Sequence, residues 1–122
     1  MIKIQSLNQN KQFLNILKKN KLNNDYFTIY FGKDNCEINK KKNNLNISFV
    51  IKKKIGTAVK RNKIKRKLKS AVQRVLIDNK AINLNYTYII FGKTSAYKEK
   101  FPIICDEINN VFKKIKNLNS WK

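Results

Sequence analysis

Apolar residues recur at the spacing of an amphipathic helix in three parts of the chain. The first part, residues 8–19, predicts a short helix, and the polar residues 20–25 behind it predict a loop. The second part has the longest apolar stripe, formed by Ile64, Leu68, Ala71, Val72, Val75 and Leu76. The third part begins near Ser95 or Pro102 and has one apolar face, formed by Ile104, Ile108, Val111, Phe112 and Ile115. We therefore expect three helices, each with one buried face.

Three other segments predict β-strands. Residues 26–32 and 86–92 are rich in aromatic and β-branched side chains, and residues 45–51 alternate between apolar and polar positions. The polar segments 34–44 and 78–85 predict turns and connections. A strand, the long helix and a further strand follow one another, which predicts a crossover. The expected fold is an α/β (α+β) two-layer sandwich with a small mixed sheet, in a single domain of 122 residues.

The long helix coincides with the most basic part of the chain. Residues 52–69 contain ten Lys or Arg residues in eighteen positions, and no carboxylate occurs between Ile38 and Ile77. The formal net charge of the whole chain is +21. Such a field attracts phosphate groups, and binding to a nucleic-acid backbone releases condensed counterions. Because these cations lie on a helix with a buried stripe and a predicted N-cap at Thr57, we interpret them as a rigid polyanion-binding surface rather than a disordered basic tail.

The sequence offers few residues for catalysis. It has no histidine, the most common general base, and its seven carboxylates lack the paired spacing of a metal nuclease. Asp106 and Glu107 are interpreted as a solvated helix face, and Cys36 and Cys105 as reduced structural thiols. No apolar run has membrane-spanning length and no signal peptide is found, so we expect a cytoplasmic protein without a membrane partner.

The basic segment resembles the signature of the bacterial ribonuclease P protein subunit. That signature is close to S-K-K-x-G-x-A-V-x-R-N-R-x-K-R-x-x-R, and the segment here reads KKKIGTAVKRNKIKRKLKSAV. Nine positions match outright: Lys53, Lys54, Gly56, Ala58, Val59, Arg61, Asn62, Lys65 and Arg66. Lys63 and Lys69 replace usual arginines, which keeps the charge but removes the planar guanidinium fork. The opening helix, the first and last predicted strands and the closing helix are also similar to the family, so the resemblance covers nearly the whole chain.

This resemblance implies both a fold and a function. The family fold is an α/β sandwich whose crossover at the basic helix is left-handed, against the usual sense. The family's protein binds a catalytic RNA, and the complex hydrolyses one phosphodiester to remove the 5′ leader from precursor tRNA. The implied cofactors are this RNA and Mg²⁺, bound mainly by the RNA, and no obligate protein partner is implied. The protein would act by neutralising charge and positioning the substrate.

The resemblance also implies two RNA-binding surfaces and no catalytic side chain on the protein. The catalytic RNA would be bound by Lys53, Lys54, Lys60, Arg61, Asn62, Lys63, Lys65, Arg66 and Lys69. A cleft between the first helix and the sheet would receive the single-stranded leader. Its expected residues are Phe13, Leu17, Tyr30 and Lys52. From the residues alone, Phe13 and Tyr30 fit a core position as well as a cleft position.

A structural RNA-binding protein of the ribosomal or nucleoid type is the alternative. Such a protein would share the charge, the size and the two-layer fold. The two functions differ in whether the protein improves the processing of precursor tRNA when it is added to a catalytic RNA. A DNA-binding regulator has less support because no helix-turn-helix pair is found.

Overall fold

A computed structural model describes residues 3–5, 10–33, 44–78 and 86–119. The strands are β1 (Lys3–Gln5), β2 (Asn20–Asn23), β3 (Phe27–Lys33), β4 (Asn44–Val50) and β5 (Tyr86–Gly92). The helices are α1 (Asn10–Leu17), α2 (Ala58–Asp78), the one-turn α3 (Ser95–Lys98) and α4 (Phe101–Asn119). A short 3₁₀ turn, Lys53–Ile55, precedes α2. Most of the two predicted connections, and Cys36, lie outside the described residues.

The five described strands form one mixed sheet in the order β1-β4-β5-β3-β2. β4 is parallel to both of its neighbours, β1 and β5. β3 is antiparallel to both of its neighbours, β5 and β2. The mixed sheet and the crossover from β4 through α2 to β5 confirm the predicted fold class. The left-handed sense of this crossover stays a prediction.

The main core lies between one face of the sheet and the helices α2 and α4. Alternate residues of the three central strands are buried there: Phe27, Ile29, Phe31, Leu45, Ile47, Phe49, Tyr86, Tyr88 and Ile90. The apolar stripes predicted for the long helix and the closing helix are buried against them. At the centre, the rings of Tyr88 and Phe112 meet edge to face with centroids 5.2 Å apart. The helical periodicity of the sequence therefore identified the correct buried faces.

The opposite face of the sheet carries α1. This helix lies against β3 and β5, and Ile16 of α1 and Ile89 of β5 are fully buried. Since side chains alternate along a strand, Tyr30 and Phe91 also point to this face. Tyr30 is half-buried and does not belong to the main core cluster.

Two short strands were not expected from the sequence. β2 occupies most of the predicted loop 20–25, and β1 pairs with β4 at the other edge of the sheet. β2 is polar because it is an edge strand, for which charged and amide side chains are typical. A turn joins it to β3, in which the Asn24 side-chain oxygen accepts the backbone N–H groups of Tyr26 and Phe27 at 2.8 and 2.9 Å. This side-chain contact, rather than apolar alternation, sets the start of the pairing.

We predict that Gly92→Ala destabilises the protein, because α2 approaches the end of β5 closely at this residue. An added Cβ would lie 2.9 Å from Ile64 Cγ2 and 3.0 Å from Leu68 Cδ1, and would also collide with the Ile51 side chain. Overpacking of this kind costs about 1–3 kcal/mol. Urea unfolding should show this loss in the free energy of unfolding.

Gly32→Ala is the matched control. Its added Cβ would meet Lys19 Cγ at 2.7 Å and Cβ at 2.8 Å, so the Lys19 backbone would have to shift, but Lys19 is exposed in the turn between α1 and β2 and not in the core. We expect a smaller loss for this variant than for Gly92→Ala. Equal losses would show that the close approach of α2 is not what requires glycine at position 92.

Candidate RNA interface

The cationic helix α2 begins at a side-chain cap. The Thr57 hydroxyl oxygen accepts the backbone N–H of Lys60 at 3.3 Å, as the sequence predicted for an N-cap. Ahead of the cap, Gly56 has a φ of 156°, a conformation that only glycine adopts readily. An added Cβ there would also lie 2.9 Å from Lys60 Cδ. Gly56 thus allows the tight turn that leads into α2 and sets the direction of its first turn.

Arg61 fixes the same turn from inside the helix. Its Nε donates a hydrogen bond to the Gly56 carbonyl oxygen at 3.2 Å, and the residue is half-buried. Only part of the guanidinium is used in this contact, since an arginine has five N–H donors. Arg61 can therefore hold the turn and still offer donors to a phosphate.

Most of the other cations of α2 are exposed to solvent on the side away from the core. Exposed residues of the predicted RNA-binding set on this helix are Asn62, Lys63, Lys65, Arg66 and Lys69. Lys53 and Lys54, in the preceding 3₁₀ turn, are exposed as well, and Lys60 is half-buried. The structure therefore places most of the predicted set on the accessible side of one rigid helix and its entry turn.

A cleft of about 330 Å³ lies on the sheet face that also carries α1. It is lined by Thr28, Tyr30, Lys52, Lys54, Ile55, Phe91, Gly92, Lys93 and Thr94. The rings of Tyr30 and Phe91 meet edge to face, with centroids 5.5 Å apart. Cations flank this ring pair, because Lys52 Nζ lies 5.9 Å from the Phe91 ring and Lys21 Nζ lies 6.0 Å from the Tyr30 ring. The cleft therefore combines aromatic rings with a rim of lysines.

The predicted cleft residues differ in where the structure places them. Tyr30 and Lys52 line the cleft, whereas Leu17 is half-buried in α1 and is not among the lining residues. The side chain of Phe13 lies outside the described part of the structure. Lys54, which the sequence assigned to the surface for the catalytic RNA, lines the cleft beside Lys52.

Sequence reasoning missed Phe91 and Lys93. Phe91 pairs with Thr28 across the β3–β5 ladder, next to Tyr30. Alternation along β5 separates Phe91 from the core residue Ile90, but only the cross-strand register shows that it meets Tyr30. Lys93 is held in place because its ammonium donates to Asn23 Oδ1 and to the Asn24 carbonyl oxygen, both at 2.6 Å.

The segment that follows the cleft is fastened to the β2–β3 turn. The Tyr26 hydroxyl donates to Glu99 Oε2 at 2.8 Å, and the backbone N–H of Lys100 donates to Glu99 Oε1 at 2.9 Å. The backbone N–H of Lys100, followed by the Tyr26 hydroxyl, lowers the pKa of the Glu99 carboxyl. The same hydrogen bond to Glu99 raises the pKa of Tyr26. The contact therefore stabilises the fold at neutral pH and is lost as the pH falls through the lowered pKa of Glu99.

The cationic helix is suited to bind a polyanion, and the aromatic cleft is suited to bind a single strand of nucleic acid. Lysine and arginine contact phosphates, and bases of single strands stack on aromatic rings. In the described part of the chain, no helix is long and apolar enough to cross a membrane. The fold and these two surfaces define a small α/β RNA-binding protein.

Comparison with known proteins identifies the family. Residues 1–116 match the family model of ribonuclease P. The ribonuclease P protein component of Carboxydothermus hydrogenoformans is 31% identical over 117 residues, which cover 95% of each chain. That of Ureaplasma urealyticum is 34% identical over 113 residues, which cover 90% of this chain and 86% of the relative.

Solved structures agree with this assignment. The RNase P protein of Staphylococcus aureus is 25% identical and superposes with a TM-score of 0.70 over 91% of this chain and 94% of that one. The RNase P protein from Thermotoga maritima shares the fold, with 22% identity and a TM-score of 0.71 over 90% of this chain and 96% of that one.

The chain therefore belongs to the ribonuclease P protein component family. The resemblance predicted from the basic segment is confirmed, and the ribosomal or nucleoid alternative is not favoured. Members of the family are RNA-binding subunits in tRNA processing, and they work with a ribonuclease P RNA that is the catalytic subunit.

Proposed function

We propose that the protein binds its ribonuclease P RNA through the exposed face of α2 and binds the 5′ leader of precursor tRNA in the cleft. The bound complex would remove the leader by Mg²⁺-dependent hydrolysis. The observation that carries the proposal is the Tyr30–Phe91 ring pair, which lies at the cleft and is flanked by lysines from three segments of the chain. A cytoplasmic location is part of the proposal because tRNA precursors are made in the bacterial cytoplasm.

The exposed face of α2 supports the first contact. Its cations project from a capped, packed helix, so their backbone positions are fixed before the RNA arrives. A folded RNA is recognised largely through its shape and phosphates, which suits such a rigid array. The bound phosphates would also relieve the repulsion between neighbouring lysines.

The dimensions of the cleft support the second contact. A volume of about 330 Å³ is at the small end of the range for ligand sites, and fits a few atoms of a chain that continues out of both ends better than a whole folded RNA. Lys52 and Lys54 lie on its rim, where the phosphates of a single strand would pass. Stacked bases with a cationic track bind single strands with little sequence preference.

Mg²⁺ would be bound mainly by the RNA. The metal would activate water and stabilise the leaving oxygen, which are the usual roles of a cation in phosphodiester hydrolysis. The lysines and arginines of this chain would neutralise phosphates near the cleavage site and position the leader. Less Mg²⁺ would then be needed to screen the RNA.

We predict that the complex of protein and RNA processes precursor tRNA at lower Mg²⁺ than the RNA alone does. The protein alone should show no cleavage. The measurement is a cleavage assay on labelled precursor tRNA over a Mg²⁺ series. Cleavage by RNA-free protein, or an unchanged Mg²⁺ requirement, would contradict the proposal.

Tyr30→Ala should weaken binding of precursors that carry a leader of several nucleotides. Loss of one stacked base costs about 1–3 kcal/mol. Affinity for mature tRNA and for the ribonuclease P RNA should change little, because the cleft would contact only the leader. Binding titrations with long-leader and leaderless substrates measure the difference.

Phe101→Ala is the matched control for this experiment, since Phe101 is an exposed aromatic residue on α4, away from the cleft. Circular dichroism must show that both variants fold. A folded Tyr30→Ala variant with unchanged preference for long leaders would remove Tyr30 from the leader site.

Arg61→Lys and Arg66→Lys should each weaken binding to the ribonuclease P RNA by about 1 kcal/mol or more, because a charge-assisted fork is lost. Arg61→Lys also loses the hydrogen bond to Gly56 that holds the entry turn. The reverse changes Lys18→Arg and Lys19→Arg are the controls and should have little effect. Similar, negligible changes in affinity at all four positions in a filter-binding assay would show that the surface binds RNA through its charge alone and not through the geometry of its arginines.

A further inference from the structure

Two lysines of α2 share one aromatic ring. Lys60 Nζ lies 5.1 Å and Lys63 Nζ lies 6.0 Å from the centroid of Tyr97, which follows the cleft in the one-turn helix α3. Both distances are within the range in which a ring attracts an ammonium group. A spacing of three residues places these lysines side by side on the helix, where like charges repel. The ring therefore lies where it attracts both ammonium groups.

The position of Tyr97 is fixed by contacts around it. Neighbouring Ala96 is fully buried, and the backbone N–H of Tyr97 donates to the Thr94 carbonyl oxygen at 3.0 Å. The Ser95 hydroxyl donates to the Asp25 carbonyl oxygen, and Glu99 accepts the Tyr26 hydroxyl. The segment around the ring is thus attached to the core and to the β2–β3 turn.

A third lysine attaches the same segment to α2. Lys67 Nζ donates to the carbonyl oxygen of Tyr97 at 3.3 Å and to that of Glu99. Lys60, Lys63 and Lys67 follow one another at spacings of three and four residues, so they lie on one side of the helix. Lys67 thus binds the backbone of the segment that carries Tyr97, whereas Lys60 and Lys63 lie over the Tyr97 ring.

We propose that Tyr97 is a positioning residue that orients the ammonium groups of Lys60 and Lys63 toward RNA phosphates. The inference rests on the proposed RNA-binding role of α2. It adds a residue outside the basic segment to that surface.

The chemistry of the ammonium group makes this arrangement compatible with RNA binding. An ammonium carries three N–H donors and can face a ring with one side while donating to a phosphate with another. A free lysine loses rotamer freedom when it binds a phosphate, and the ring restricts that freedom beforehand. Tyr97 would thus reduce the entropy lost on binding without contacting the RNA itself.

Three variants test the proposal in binding assays with the ribonuclease P RNA. Tyr97→Leu, which keeps apolar bulk, should weaken binding about threefold to tenfold, and Tyr97→Phe, which keeps the ring, should change it by less than about twofold. Phe101→Leu is the control, because it also removes an exposed aromatic ring, but one on α4 and outside the contact of Tyr97 with Lys60 and Lys63. This variant should bind the RNA as the parent does. Weak binding by Tyr97→Phe, or parental binding by Tyr97→Leu, would overturn the proposal.

A double-mutant cycle separates positioning from a general structural effect. In a Lys60→Gln, Lys63→Gln background the effect of Tyr97→Leu should disappear, because the ring then has no ammonium group to orient. An undiminished effect in that background would show that Tyr97 acts only through the fold. If the double glutamine variant itself binds as the parent does, the proposed RNA surface at these lysines is wrong, and the inference fails with it.

An NMR measurement on the unsubstituted protein tests the contact independently of any variant. Protons above an aromatic face are shifted upfield, so the Cε protons of Lys60 and Lys63 should resonate upfield of those of exposed Lys65. Ordinary shifts for both lysines would overturn the proposal even if Tyr97→Leu failed to fold.

Discussion

The fold requires that the highly cationic helix α2 pack against the sheet despite the repulsion among its charges. From Ala58 to Ile77 the chain has no carboxylate, and the acidic residue of α2, Asp78, is its last residue, so no acidic side chain lies among the clustered cations of residues 60–69 to offset their repulsion. Each repulsive pair costs a few tenths of a kcal/mol, at roughly 0.2–0.5. Burial of an aliphatic side chain such as Ile64 or Leu68 contributes about 1.5–3 kcal/mol. The buried stripe therefore outweighs the repulsion, and Gly92 provides the space for this close packing.

The short connection from β4 to α2 links the two proposed RNA-binding surfaces. Lys52 and Lys54 line the cleft, and a few residues later the chain turns at Gly56 and begins α2. The Thr57 cap and the hydrogen bond from Arg61 to Gly56 hold the end of this connection. A leader in the cleft and an RNA on α2 would consequently be held at a defined distance from each other, which is what a positioning subunit must provide.

Charge alone does not show which lysines can bind RNA. Lys67 has the same charge as its neighbours, but two of the three N–H donors of its ammonium bind backbone carbonyl groups. Lys60 and Lys63 lie over an aromatic ring, and Lys54 faces the cleft although it lies within the basic segment. The lysines of the basic segment therefore differ in their surroundings. One binds backbone carbonyl groups, two lie over an aromatic ring, two line the cleft, and others are exposed on α2.

Features that depend on local periodicity could be predicted from the sequence. The apolar stripe of α2, the alternation in β4, the cap at Thr57 and the basic signature are all contained in short stretches of chain, so the fold class and the family could be predicted from them. The polar edge strand β2 could not, because its pairing with β3 rather than its own composition makes it a strand. The meeting of Tyr30 with Phe91, and of Tyr97 with Lys60, joins residues that are distant in sequence. These contacts could not be predicted from the sequence, since cross-strand register and the packing of α3 on α2 depend on the whole core and produce no periodic pattern in the chain.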